Sequence, residues 1–130
     1  MDAFLAEACI HLSNAPVVID LVCDRLLGLC TGFSTQGNDR LLTFGMGRAV
    51  LRAAGDALLM RVEADDMVAC HSIKVSVEGT VAEVAGISQA ALLWIAAKKE
   101  PFAALAGYAA LKREQPAPDF IRSDNEEQEE

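Results

Sequence analysis

Arg48, Arg52 and Arg61 are the residues of this sequence whose type and spacing best suit joint chemistry. Arg48 and Arg52 stand four apart in an alternating run, so on an unbroken strand both project from one face. Arg61 joins them from the strand that follows. Three guanidinium groups on one sheet face would bind an anion or a carboxylate-bearing partner, the acidic end of this same chain included. The plainer reading of the same residues is a solvated outer sheet face with Glu63 as the cross-strand partner.

Other reactive residue types do not assemble into a catalytic set. Cys9, Cys23, Cys30 and Cys70 include no CxxC pair and no neighbouring histidine pair, so a structural metal is not expected. Cys23 and Cys30 are seven apart on one helical face beside Ile19, Leu26 and Leu27, where reduced cysteine packs as a small hydrophobe. His11 and His71 are 60 residues apart, and His71 beside Cys70 points about 100° away from it on a helix, so the two cannot chelate together. His71 could face a ligand, though a satisfied surface histidine is the commoner arrangement. Gly45-Met46-Gly47 lacks the third glycine and the GK[ST] ending of a phosphate loop and reads as a bulge in a strand. No serine has a GxSxG setting, and the acid pair Asp65-Asp66 reads as a helix cap. The expectation is therefore a protein that is not an enzyme, with no cofactor and no metal.

The elements that would position these residues follow from periodicity. Phe4 to Ser13 alternates, with Ala6, Ala8, Ile10 and Leu12 on one face and Glu7, Cys9 and His11 on the other. Ser13-Asn14-Ala15-Pro16 opens a helix running to Leu29, its apolar residues at Val18, Leu21, Val22, Leu26 and Leu29. Residues 33–40 suit a strand edge and a turn at Gly37-Asn38-Asp39, and the run from Leu41 to Ala53 reads as a strand bulged at its two glycines. Gly55-Asp56 then turns the chain into Leu58 to Glu63. With Asp65 or Asp66 as cap, Cys70, Ile73, Val77, Val81 and Val84 fall on one helical stripe. Ile73, Val75 and Val77 also alternate, but the stripe outlasts the alternation and the segment exceeds a normal strand. Ser88 caps an alanine-rich helix over residues 89–99, and Pro101 starts another over 102–113. The resulting pair would bury Trp94, Phe102 and Tyr108 against the domain or across a homodimer.

The fold class expected is α+β, a two-layer sandwich with an antiparallel sheet of about four strands in the order β-α-β-β-β-α and a C-terminal helical pair. The division expected is an α+β domain over residues 1–86, a helical extension over 87–114 and a disordered acidic tail over 115–130. The net charge is −8, and residues 119–130 carry six acids against Arg122, so −5 of it resides in the tail. A chain this acidic lacks the cationic patch that nucleic acid or an anionic membrane surface requires, and both partners are disfavoured. Its N-terminus, MDAFLAEACIHL, is acidic where a signal peptide is basic, so a cytoplasmic location is expected. Met46, Met60 and Trp94 are candidates for an apolar pocket between sheet and helices that would carry a lipid or a haem-like molecule.

The stretch FGMGRAVLRAAGDALLMRVEADD, with the strand and helix before it and the helix to Val84 after it, resembles a small bacterial domain of unknown function. That domain occurs alone or fused N-terminal to siderophore-interacting FAD-dependent reductases. The resemblance covers roughly residues 6–86 and rests on the glycine-rich turn, the Gly55-Asp56 turn and the MRVEA strand ending. The family's usual helix is richer in Leu, Arg and His near its end than VSVEGTVAEV is. The resemblance implies the fold and a link to iron–siderophore handling, with a flavin reductase as partner. The function expected is a non-catalytic binding or interaction module, with a homo-oligomer formed through the helical pair as the other expected partner. It carries over no FAD, NADPH or siderophore site.

Overall fold

The computed structural model describes residues 4–106. Its chain runs β1 (Phe4–His11), α1 (Ala15–Leu26), β2 (Gly32–Gln36), β3 (Asp39–Phe44), β4 (Gly47–Ala54), β5 (Ala57–Ala64), α2 (Met67–Ala85) and β6 (Ile95–Ala96), with short 3-10 turns at Leu27–Leu29 and Gln89–Ala91. The six strands form one antiparallel sheet in the order β2-β3-β4-β5-β1-β6. The fold is thus α+β, as the alternation implies, with more strands than the sequence pattern suggests.

Both helices pack on one face of this sheet. Alternation places Ala6, Ala8, Ala49, Leu51, Leu58, Met60 and Val62 on that face, and α1 meets them with Val18, Ile19, Val22 and Leu26. The buried stripe of α1 thus includes Ile19, while Leu21 and Leu29 are exposed. α2 contributes Cys70, Ile73, Val77 and Val81, the expected stripe, and Val75 faces out, so burial decides for helix against the competing alternation. Asp66 caps α2 by accepting a hydrogen bond from the Ala69 N–H at 2.7 Å, and Gly86 closes it in the left-handed region at φ 70°.

Two expectations are corrected. Gly45 and Met46 form the connection of a tight hairpin between β3 and β4, whose last pair is Phe44 with Gly47, so they are not a bulge within one strand. Gly47 is required there by space: a Cβ would collide with the Glu63 carbonyl oxygen and come within 2.9 Å of Ile73 Cδ1.

The first helix of the expected C-terminal pair, over residues 89–99, does not form. After the turn at Gln89–Ala91 the chain extends, and Ile95 and Ala96 pair with Glu7 and Ala6 along the free edge of β1. Alanine's helix preference is worth only a few tenths of a kcal/mol per residue, and an open edge of backbone donors and acceptors outweighs it. Residues 97–106 cross to the sheet face away from the helices, where Phe102 and Leu105 pack on Val50, Leu41, Leu59 and Ile95. A helical turn begins at 103–106; the rest of the expected second helix, Tyr108 and the acidic tail lie outside the described residues. The sheet is therefore covered on one face by helices and partly on the other by the chain's own return. No helix among the described residues is long and apolar enough to cross a membrane.

Gly47→Ala is expected to lower stability by about 1–3 kcal/mol, the usual cost of overfilling a packed site. Urea unfolding reads the difference, and a neutral substitution would show that β4 and α2 can separate without penalty.

Candidate ligand-binding site

The outer sheet face brings Arg48, Arg52 and Arg61 together, as strand parity requires, but every one of them is held by a carboxylate. Arg48 Nε donates to Glu63 Oε1 at 2.8 Å, and Arg52 grips Asp39 through Nε and Nη2 at 2.5 and 2.9 Å. Arg61 is 1% exposed and donates to Glu63 Oε2 at 2.6 Å, Glu7 Oε2 at 2.5 Å and the Lys99 carbonyl at 3.0 Å. Three guanidinium groups thus face three acids, and no uncompensated positive charge is left to attract an anion.

The sequence marks Glu63 as a partner for these arginines but gives no sign of Glu7. Glu7 lies on β1 with no exposure, and its Oε2 also accepts from the Phe102 backbone N–H at 2.5 Å. This contact holds Phe102 at φ 64°, a left-handed backbone that is uncommon for a bulky side chain and costs about 1–3 kcal/mol. Arg52 stacks over its ring, 4.6 Å from the centroid. Glu7 Oε1 is buried and finds no partner among the described residues. The network is an internal clamp that fastens the segment after β6 to the sheet.

The three residues expected to form an apolar pocket are dispersed. Met60 is fully buried under the helices, and Met46 sits half-exposed at the β3–β4 turn, where it borders two shallow clefts. Trp94 lines a different and larger cleft, of about 460 Å³, between the first turns of α2 and the paired strands β1 and β6. Its apolar walls include Phe4, Leu5, Trp94 and Ile95. The α2 wall is the stripe Met67, Cys70, His71 and Lys74, at i, i+3, i+4 and i+7. The indole Nε1 donates to Glu78 Oε1 at 2.7 Å, which anchors the ring to the same helix one turn beyond Lys74. His71 thus faces the cleft. Cys70 is buried, and burial raises its thiol pKa while the charge of Lys74 opposes that rise.

No family model matches the sequence, and a search of curated proteins finds no match. Among solved structures the fold is similar to that of PA4090 from Pseudomonas aeruginosa, determined by NMR, with a TM-score of 0.61 and 15% identity over 71% of this chain and 95% of that one. At that identity the likeness carries the fold alone.

Two expectations follow for the clamp. Glu7→Ala leaves the Arg61 guanidinium less well paired in the interior and is expected to cost about 3–5 kcal/mol. The double replacement Glu7→Leu with Arg61→Met should recover much of that loss, as compared by urea unfolding. Burial works against ionisation of Glu63, but the hydrogen bonds and charges of Arg61 and Arg48 outweigh it and hold its carboxyl below the ordinary 4.5. A group depressed in the folded state stabilises it above the unfolded value and loses that contribution as pH falls through the folded value. Stability should therefore decline as pH drops below about 4.5, and Glu63→Gln should remove part of the decline; superimposable profiles would deny Glu63 that role.

Proposed function

We propose that this chain is a non-catalytic binding module that holds a small, largely apolar molecule in the cleft beside Trp94. The observation that carries the reading is the cleft itself. Its volume of about 460 Å³ falls within the roughly 300–1,000 Å³ typical of small-ligand sites, and apolar side chains from β1, β6 and α2 converge on it. Met67 is 67% exposed and Phe4 40%, so the lining offers apolar surface that an occupant would cover. The non-catalytic part rests on the groups present: Cys70 carries a raised pKa and is a poor nucleophile at neutral pH, and the arginines of the opposite face are engaged with carboxylates. An accessory role in iron–siderophore handling, with a flavin reductase as partner, draws its support from the sequence resemblance alone and enters as context for the ligand.

Trp94 is the only tryptophan and so reports on the cleft without ambiguity. A neutral fluorescent probe such as N-phenyl-1-naphthylamine should bind saturably with one site per chain and alter Trp94 emission. Met67→Asp changes an exposed first-turn position where an acid suits a helix, so it should weaken binding about tenfold without lowering stability. Non-saturable probe uptake with unchanged Trp94 emission would rule the reading out.

A further inference from the structure

The polar groups of the cleft indicate the kind of molecule it takes. Among the described residues lining it there is no carboxylate; the polar side chains are His71 and Lys74, one turn apart on α2, with the indole N–H already committed to Glu78. Lys74 is half-buried and makes no ion pair or hydrogen bond among the described residues.

That isolation stands out among the described residues. With 19 acids against 11 basic residues, a cation here has no shortage of partners, and Arg25, Arg40, Arg48, Arg52 and Arg61 each have one. The other described lysines, Lys98 and Lys99, are exposed and need none. The carboxylate best placed to neutralise Lys74 along its own helix is Glu78, at i+4, and the Trp94 indole engages it. A half-buried ammonium kept unpaired at the edge of an apolar cleft loses hydration without compensation unless an anion arrives.

We propose that the ligand is a monocarboxylate amphiphile, its apolar part against Phe4, Met67, Trp94 and Ile95 and its carboxylate on Lys74 Nζ, with His71 as a second donor. This rests on the reading of the cleft as the binding site and adds the headgroup. A charged hydrogen bond at a partly desolvated site is stronger than a neutral one, so the acid is favoured over an alcohol of equal chain length. The arginine cluster of the opposite face plays no part, since its charges are matched.

The test uses the full chain and Trp94 emission, titrated at neutral pH with decanoate and with decanol, both below their aggregation concentrations. Decanoate should bind at least tenfold more tightly than decanol. Lys74→Gln, a replacement that removes the charge and keeps helix propensity, should abolish that difference while leaving decanol binding unchanged. Equal binding of acid and alcohol, or decanoate affinity unaffected by Lys74→Gln, would overturn the headgroup assignment and leave the cleft as an apolar site. Binding of neither compound would remove the cleft reading together with it.

Discussion

The buried pair of Glu7 and Arg61 is the contact on which the placement of the chain after β6 depends. Glu7 sits in β1 and Arg61 is its Cα partner on β5, so the pair joins two neighbouring strands on the sheet face away from the helices. Neither side chain reaches water, and the cost of removing both charges from it is offset only if nearly every remaining donor and acceptor finds a partner. Glu63 takes the Arg61 Nε–H, and the other partners come from the chain beyond residue 96: the Lys99 carbonyl for Arg61 and the Phe102 N–H for Glu7. The ion pair thereby supplies a polar anchor for a segment that contributes only a small apolar cluster of its own.

That anchoring has a consequence on the sheet edge. β6 consists of two residues, too short to hold an edge by its own ladder bonds, and it is fixed between buried Leu92 and the clamped residues around Phe102. With β6 in place, Trp94 is brought against α2 and the cleft acquires its third wall. The outer-face clamp and the cleft are thus coupled through one short strand, whose Ile95 both packs beside Phe102 and lines the cleft. Phe102, in its uncommon left-handed backbone, shows how tightly the return of the chain is constrained by the carboxylate beneath it.

Much of the helix-bearing half was legible in the sequence. The period of two in β1, β4 and β5, the Gly55-Asp56 turn and the Asp66 cap are local signals, and each agrees with the burial observed. The stripe of Cys70, Ile73, Val77 and Val81 was readable for the same reason. The Gly45-Met46 turn was harder, because glycines in an apolar run suit a bulge and a hairpin equally. What selects the turn is the close approach of Glu63 and Ile73 to Gly47, a contact between residues far apart in sequence. Of the cleft, the α2 stripe from Met67 to Lys74 had the right spacing, but nothing local announced the opposing wall.

The sequence by itself determined the α+β class, the two helices, the hairpin strands and the common face of the three arginines, because these depend on neighbours within a few residues. Tertiary structure alone decided that residues 95–96 become a strand, that Glu7 is buried against Arg61 and that Asp39 and Glu7 join Glu63 in matching the arginines. The physical reason is the same in each case. An unpaired strand edge and a buried charge are satisfied by whichever groups the fold brings to them, and here those groups arrive from up to 95 residues away. The alanine-rich segment has a helical preference too weak to resist that demand, so its conformation belongs to the fold and not to its own residues.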